Sequence, residues 1–319
     1  MENQSSEFKR VVALGFFDGV HIGHAALLRR TVERAYGAGA RPSVMSFDTH
    51  PDRLVLGRPV RLLGDTRSRA ELINRISGIE DVVFISFNRE TMNMPWDGFL
   101  SSLRAELNVC GIVAGEDFTF GKGGKGNAEK LKNWCGENSL TCDIIPQISI
   151  DGVPVSSSLI REYVAAGEME KAAGLLGHYH CLTGIVRQGY HIGRKLMAPT
   201  ANLYFPEGVL FPAYGVYATE VTLKNGEVYT AATNIGVRPT FDGDSRVSVE
   251  CNLVGFDGSL YDEEVRVDFI SYIRPEKKFL SPEELAEQIS RDRETVIQTV
   301  QRIHNFHTLG ISATPKQTV

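Results

Sequence analysis

The chain has 319 residues, of which 42% are hydrophobic and 23% are charged. This length favours two domains of roughly 150 residues each. The composition is that of an ordinary globular protein and excludes a mainly disordered chain, a collagen and a coiled coil. The 34 basic and 39 acidic residues give a net charge of −5, which argues against extended nucleic-acid binding because that requires a basic surface.

Membrane and export signals are absent from the sequence pattern. No apolar run approaches the ~18 residues that a membrane-spanning helix needs, and the N-terminal segment MENQSSEFKR lacks the apolar region of a secretory signal. Five cysteines without a CxxC pair argue against a disulfide framework or a zinc site. We therefore expect a cytoplasmic monomer or weak homo-oligomer with no membrane or nucleic-acid partner.

Strands and helices alternate in the first half of the chain. The pattern predicts strands over 11–17, 43–47, 81–87, 109–114 and 141–147, and helices over 23–36, 66–76, 95–107 and 127–138. Such alternation indicates βαβ units and a parallel sheet. Ligands bind beyond the carboxyl ends of the strands in such sheets, so a site is expected in the loops at 15–24, 48–58 and 115–126.

From about residue 180 the sequence pattern changes, and strand-forming segments replace the alternation of strands and helices. Segments rich in valine, tyrosine and threonine predict strands over 214–223, 228–235, 247–254 and 264–272. The sequence Lys-Asn-Gly-Glu at 224–227 is a strong hairpin signal between two of them. These features indicate an antiparallel barrel or sandwich.

A last helix is predicted from its start signal. Ser281, Pro282 and Glu284 occupy the N-cap, N1 and N3 positions of a capping box, and the helix is expected to run to about His304. We expect an α/β domain over 1–178, a mostly β domain over 179–310, and a disordered tail over 311–319.

The segment GFFDGVHIGH at 15–24 follows the first strand and opens the first helix. His21 and His24 are three residues apart, so they share a helix face and can both point at an anion over the helix N-terminus. This arrangement suits nucleotide phosphates; the alternatives are a surface turn with solvated histidines and, for Asp18, a simple helix cap. Three glycines allow the backbone to bend and a ligand to approach closely: Gly15, Gly19 and Gly23.

Two further segments of this half carry phosphate-binding residue types. In VSSSLIR at 155–161, three serines stand at a helix start and Arg161 follows one turn later, which suits either phosphate binding or simple capping. In GEDFTFGKGGKGN at 115–127, Lys122 and Lys125 are either ligand contacts or part of a solvated loop.

Together with SFDTHP at 46–51, these motifs resemble the N-terminal domain of the bacterial bifunctional riboflavin kinase/FAD synthetase family. HIGH is shared with class I aminoacyl-tRNA synthetases, but the chain has no KMSKS-type loop. The resemblance implies a Rossmann-like nucleotidylyltransferase domain that transfers AMP from ATP to FMN. It also implies nucleotide-site roles, with His21, His24 and Arg161 as catalytic residues and the others as contacts: Gly15, Phe17, Asp18, Gly23, Asn127, Ser156, Ser157 and Ser158. Thr49 departs from the family, which commonly has proline there.

A second polar constellation lies in the β-rich half. In PTAN at 199–202, Thr200 and Asn202 alternate onto one face, and their hydroxyl and amide oxygens suit Mg²⁺ that bridges nucleotide phosphates. Glu250 stands between Val249 and Cys251 in a predicted strand and therefore faces away from them. On this evidence alone, a solvent-facing strand glutamate is the favoured interpretation of Glu250.

Five motifs of this half resemble the riboflavin kinase module of the same family: PTAN, GVYA at 215–218, NIGVRPTF at 234–241, VE at 249–250 and LY at 260–261. The resemblance implies an antiparallel barrel with a C-terminal helix, in which Thr200 and Asn202 bind Mg-ATP and Glu250 is the general base. Gly193 and Lys195 lie in the implied phosphate loop. Met197, Ala198 and Asp262 depart from the family, which usually has Gly, Phe and Gly at these positions.

The resemblance implies a bifunctional enzyme. It would phosphorylate riboflavin to FMN and adenylylate FMN to FAD, with ATP as co-substrate and Mg²⁺ as metal. Two alternatives remain open: an FMN adenylyltransferase whose barrel only binds flavin, and a flavin-sensing regulatory protein without either activity.

Overall fold

The structure is a computed structural model that describes residues 8–187, 200–239 and 245–308. The described residues form two compact units. The first contains the chain up to Arg61 together with Asp65–Ser156, and the second contains Leu62–Gly64 and the chain from Ser157 onward. Gly193, Lys195, Met197, Ala198 and the predicted tail lie outside the described residues. None of the helices described is both long enough and apolar enough to cross a membrane.

The first unit is built on a five-stranded parallel sheet of order β3-β2-β1-β4-β5. Its strands are β1 Arg10–Leu14, β2 Arg41–Phe47, β3 Asp81–Ile85, β4 Val109–Gly115 and β5 Thr141–Ile145. This confirms the predicted α/β class. A two-stranded hairpin that was not predicted follows, formed by β6 Ser149–Ile150 and β7 Val153–Pro154.

Helices connect these strands, and the four long ones bury apolar residues. They are α1 Ile22–Ala38, α2 Pro51–Val55, α3 Thr66–Ser77, α4 Arg89–Asn93, α5 Trp96–Leu107 and α6 Ala128–Glu137. The four long helices were predicted, whereas α2 and α4 were not, because five residues are too few to show a helical period. The core includes Val12, Leu14, Met45, Ile112 and Leu131, each at most 1% exposed.

The first strand is shorter than predicted. The sequence indicates a strand to Phe17, but β1 ends at Leu14. Phe17 has φ +59° and is nevertheless completely buried, so its left-handed backbone turns the chain out of the sheet while its ring stays in the core. An apolar pattern reports burial and not backbone conformation, which explains the error.

Strand order defines where ligands have access in the first unit. The chain moves from β1 to β2 on one side and later crosses to β4 on the other. The carboxyl ends of β1 and β4 therefore flank a topological switch point, where open α/β sheets bind ligands. The segments after these strands are 15–24 and 115–127.

The second unit contains a closed barrel of order β10-β11-β12-β9-β8-β13, with antiparallel pairing throughout. Its strands are β8 His180–Arg187, β9 Ala201–Tyr204, β10 Gly215–Thr222, β11 Val228–Pro239, β12 Ser245–Leu253 and β13 Glu264–Arg274. The barrel confirms the predicted class. Strand β8 was not predicted. Leu62 joins this unit through backbone hydrogen bonds of 2.8 Å to Gly208 and 2.7 Å from Leu210.

Helices α7 Ser157–Ala166, α8 Met169–Leu176 and α9 Pro282–Thr308 complete the second unit. The hairpin turn is present, with Gly226 at φ +88°. Helix α9 begins as predicted, because the Ser281 hydroxyl accepts the Glu284 N–H at 3.2 Å, and Val296 and Val300 pack it onto the barrel. Helices α7 and α8 group with the barrel as compact structure; the functional division at 178/179 stays a prediction.

Candidate active sites

The turn after β1 places the two predicted histidines. Phe17 at φ +59° leads into a short 3₁₀ turn, Asp18–Val20, in which Gly19 and Val20 also have positive φ. His21 then returns to an extended conformation and becomes the N-cap of α1. Four consecutive turn residues, three of them with positive φ, thus orient the first turn of the helix at the carboxyl end of β1.

The two imidazole rings are in direct contact. Their centroids are 3.6 Å apart and their planes differ by 15°, so the rings stack. The Nδ1 atom of His21 accepts the backbone N–H of His24 at 3.3 Å. A ring nitrogen that accepts this hydrogen bond is unprotonated, so the neutral His21 ring carries its proton on Nε2.

His24 is held in the neutral state. Desolvation by burial lowers its pKa well below the usual value, and a positive charge on nearby His21 would lower it further. Its Nδ1 is buried and has no hydrogen-bond partner among the described residues, while the Phe17 ring lies 5.1 Å away. The pair therefore offers neutral N–H donors, not two positive charges.

The glycines of this segment are explained by the loop itself. A Cβ on Gly15 would lie 3.0 Å from the Phe17 ring, and one on Gly23 would lie 3.2 Å from the His21 ring. Gly19 has φ +73°. These contacts and the bend at Gly19 account for the glycines without a ligand.

Asp18 is not a helix cap, because His21 caps α1. Its side chain is buried, at 1% exposure, and acts electrostatically on the guanidinium of Arg69. Sequence reasoning missed Arg69, which bonds to the backbone at the ends of β1 and β2. The available signal was an arginine on the apolar face of a predicted helix.

The segment after β4 folds back on itself through a bridge between Phe120 and Gly126. Asn127 caps α6, its side-chain oxygen accepting the Lys130 N–H at 2.9 Å. Lys122 and Lys125 are exposed, so both interpretations of these lysines stay open. The Asn127 oxygen already has a structural partner.

Helix α7 carries the serine and arginine group of the second unit. Its first residue is Ser157, as the capped-helix pattern predicts. Arg161 folds back to this end: Nη2 donates to the Ser158 hydroxyl at 3.2 Å, and Nε donates to the Ser157 carbonyl at 3.3 Å. Ser156 precedes the helix and is half-buried. The hydroxyls and the guanidinium thus share one helix end.

Strand register brings the predicted barrel residues together. Glu250 on β12 pairs directly with Asn202 on β9 and with Asn234 on β11. Directly paired residues project from the same face of a sheet, so the three polar side chains form a row, and Thr200 immediately precedes β9. Asn234 completes this row and was not singled out from the sequence.

The two faces of β12 differ in polarity, as predicted. Val249 and Cys251 are at most 2% exposed, whereas Glu250 is half-buried. The Oδ1 atom of Asn202 is buried and has no hydrogen-bond partner among the described residues. A buried amide oxygen without a partner costs free energy and fits a position that accepts a metal ion or a ligand donor.

Asp262 stands where the resembling family has glycine. Its φ of +64° explains that preference, since glycine adopts this region without strain. The Asp262 carboxylate pairs with Arg187, which is the β8 partner of Asn202. The substitution is therefore accommodated next to the polar row.

Family models match both halves of the chain: one described as FAD synthetase covers residues 3–159, and one described as riboflavin kinase covers residues 176–300. The bifunctional riboflavin kinase/FMN adenylyltransferase of Bacillus subtilis is 34% identical over 300 residues, which are 92% of this chain and 94% of that protein. The chain belongs to this family. The Escherichia coli K12 enzyme of the same name is 33% identical over 289 residues, covering 89% and 91% of the two chains.

Structural comparison supports the fold. A solved structure of a macrolide-efflux protein from Streptococcus pneumoniae is 30% identical in sequence and has a TM-score of 0.81. The match covers 93% of this chain and 97% of that chain. Membership of the riboflavin kinase/FMN adenylyltransferase family confirms the predicted enzyme class. It also favours the bifunctional interpretation over an adenylyltransferase with a non-catalytic barrel.

Proposed function

We propose that the chain makes FMN from riboflavin and ATP in the barrel, and FAD from FMN and ATP in the nucleotidylyltransferase domain. The single observation that carries this proposal is the presence of two separate polar sites, each in a region that matches its own family model. The product of the first reaction is a substrate of the second. The first reaction transfers a phosphoryl group from ATP, and the second transfers an adenylyl group from ATP.

In the barrel, Glu250 acts as general base. Its carboxylate takes the proton from the terminal ribityl hydroxyl of riboflavin, whose oxygen attacks the γ-phosphorus of ATP, and ADP leaves. The direct pairing of Glu250 with Asn202 and Asn234 supports this assignment, because it places the base within a row of polar side chains. A purely solvent-facing glutamate would not require such neighbours.

Thr200 and Asn202 would hold the Mg²⁺ of this site. The unpartnered, buried Asn202 Oδ1 supports the assignment, since amide and hydroxyl oxygens are suitable hard ligands. When bound, the metal offsets the charge of the transferring phosphoryl group. Gly193 and Lys195, proposed for the adjacent phosphate loop, lie outside the described residues.

In the first unit, His21 and His24 bind the phosphates of ATP. A phosphate oxygen of FMN attacks the α-phosphorus, and pyrophosphate leaves. The neutral rings donate N–H groups to phosphate oxygens, and the N-terminus of α1 adds positive potential. We propose nucleotide contacts as well for the turn residues Gly15, Phe17, Asp18 and Gly23 and for Asn127. The family resemblance implies the same role for Ser156, Ser157, Ser158 and Arg161.

Small molecules are the partners that this function requires. The net charge of −5 argues against a nucleic-acid partner. All five cysteines are free thiols, which supports a place in the reducing cytoplasm. For oligomeric state we propose a monomer or weak homo-oligomer.

The proposal is tested by incubating the purified chain with riboflavin, ATP and Mg²⁺ and separating FMN from FAD by chromatography. A second reaction supplies FMN in place of riboflavin and measures FAD and pyrophosphate. Both products are expected. FAD from FMN without FMN from riboflavin would instead identify an adenylyltransferase with a flavin-binding barrel, and flavin binding without turnover would identify a regulatory protein.

A further inference from the structure

Arg69 is a charged side chain in an apolar position. It lies on α3 with Leu72 and Ile73, at the i, i+3 and i+4 positions of the buried face. Only 1% of its surface is exposed. A buried guanidinium is costly unless it is hydrogen-bonded and paired, so its partners indicate what holds it there.

The guanidinium ties the turn after β1 to the end of β2. Nη1 donates to the carbonyl of Phe16 at 2.7 Å and lies 3.1 Å from the Ser46 hydroxyl. Nη2 donates to the carbonyl of Phe47 at 2.9 Å. Ser46 donates to the same Phe16 carbonyl at 2.9 Å. The forked shape of arginine allows it to reach both carbonyls at once.

Aromatic rings and carboxylates complete this environment. The guanidinium lies 4.2 Å from the centre of the Phe16 ring and 5.1 Å from that of Phe84, within cation–π range. Burial lowers the pKa of Arg69 to about 10, and the charges of Asp18, Asp65 and Asp48 oppose this shift. The side chain therefore remains positively charged at neutral pH.

The Phe16 carbonyl lies one residue before the left-handed turn. Fixing this carbonyl fixes the peptide plane that enters Phe17, whose φ is +59°. The Phe17 ring contacts the His24 ring, with centroids 5.1 Å apart. A short chain of contacts thus runs from Arg69 through Phe16 and Phe17 to His24.

The loop after β2 is attached to the same arginine. Phe47 is the last residue of β2, so its carbonyl anchors the start of the segment Asp48–His50. The ring of His50 packs edge-on against Phe16, at 4.7 Å between centroids. One guanidinium therefore sets the position of two loops at the carboxyl edge of the sheet.

We propose that Arg69 is a positioning residue for adenylyl transfer, holding the backbone at Phe16 and Phe47 so that His24 meets the substrate phosphate in a productive geometry. This inference rests on the proposed function of the first unit. A displacement of about 1 Å at a reacting group costs on the order of 10²-fold in rate, so loss of this anchor should reduce kcat more than it changes KM.

The test compares Arg69→Met, Arg69→Lys and Ser46→Ala with a control on the same helix, Arg67→Met. Arg67 is exposed and pairs with Glu71. FAD formation from FMN and ATP is measured at a temperature well below the melting transition of each variant, and FMN formation by the barrel serves as an internal reference for active protein.

Arg69→Met should lower kcat for FAD formation by about 10–10²-fold, with only a few-fold change in KM for ATP and FMN. Arg69→Lys keeps the charge but loses the fork, so its kcat should be intermediate. Ser46→Ala, which removes one of two donors to the Phe16 carbonyl, should show a smaller loss. FMN formation and the Arg67→Met variant should match the wild type.

Wild-type kcat for FAD formation in folded Arg69→Met would overturn the proposal, as would a loss confined to KM. If Arg69→Met does not fold, Arg69→Lys and Ser46→Ala test the proposal in its place. An unchanged kcat in both would show that Arg69 is needed for folding alone. A wild-type chain that forms no FAD from FMN would instead contradict the proposed function and not this inference.

Discussion

The turn after β1 and the strand row of the barrel position their polar side chains in different ways. In the turn, three residues with positive φ reverse the chain and one buried arginine holds the peptide before them. In the barrel, antiparallel register alone aligns Glu250 with Asn202 and Asn234. A site made by register depends on the whole sheet, whereas a site made by a turn depends on a few backbone contacts.

This difference predicts how the two activities separate on mutation. Substitutions in one site should leave the other reaction intact, because the histidine turn and the polar row of the barrel lie in different compact units.

Glu250→Gln should abolish most FMN formation while FAD formation from supplied FMN persists. Glutamine keeps the shape but cannot accept a proton at neutral pH, so a general-base contribution of about 10²–10⁴-fold is lost. Chromatographic assay of both products measures this, with the exposed Glu207→Gln as control. Near-wild-type FMN formation in folded Glu250→Gln would refute the base assignment and direct attention to Asp242 or Asp244, which lie outside the described residues.

His24→Ala should reduce FAD formation by on the order of 10²–10³-fold, the loss expected when one preorganised donor is removed. FMN should then accumulate from riboflavin. A suitable control is His304→Ala, since His304 pairs with Glu220 on the barrel surface. An equal fall in FMN formation would show that the reactions do not occupy separate sites.

Asn202→Ala should weaken Mg²⁺-dependent FMN formation without weakening the fold. The substitution removes a buried oxygen that has no partner among the described residues, and leaving such a group unpaired costs roughly 1–3 kcal/mol. We expect kinase activity at limiting Mg²⁺ to fall by at least about 10-fold, with the free energy of unfolding unchanged or raised. Magnesium titrations and denaturant melts measure the two effects, and a clear loss of stability would contradict the assignment.

Acid should destabilise both units. Desolvation by burial lowers the pKa of His24, and it lowers that of His180 on β8 to about 3. The unfolded chain, with a histidine pKa near 6.5, then binds more protons than the folded chain below that pH. Stability is therefore present above pH 6.5 and is lost as the pH falls toward the folded pKa values.

Thermal melts across pH 4–8 measure this smaller effect. His180→Asn should reduce the fall in melting temperature at acid pH, and so should His24→Ala in the first unit. If the melting temperature of both variants falls with acid as much as that of the wild type, these two histidines do not govern acid stability.

The barrel site was more predictable from sequence than the turn. Alternation along a strand fixes which side chains share a face, so the orientation of Glu250 away from Val249 and Cys251 was correctly predicted. Pairing with Asn234 required register, which the sequence pattern does not specify. In the first unit the histidines were found by spacing, but the left-handed Phe17 was mistaken for strand because an apolar residue gives no sign of its φ angle.

Arg69 shows why part of the first site could not be predicted. Its sequence neighbours indicate an amphipathic helix, and an arginine on the apolar face looks like a local exception. Only the fold brings it to the carbonyls of Phe16 and Phe47, which are 53 and 22 residues away in sequence. Long-range backbone anchors of this kind leave no periodic signal.

The bonds of Leu62 bear on the order in which the protein can fold. This residue belongs to the barrel unit and exchanges backbone hydrogen bonds with Gly208 and Leu210. Contacts between residues so distant along the chain form slowly, because the intervening loop must first be closed. A fragment that begins at Ser157 would lack this partner, so an isolated kinase domain should fold without these hydrogen bonds at Gly208 and Leu210 unless Leu62–Gly64 is supplied with it.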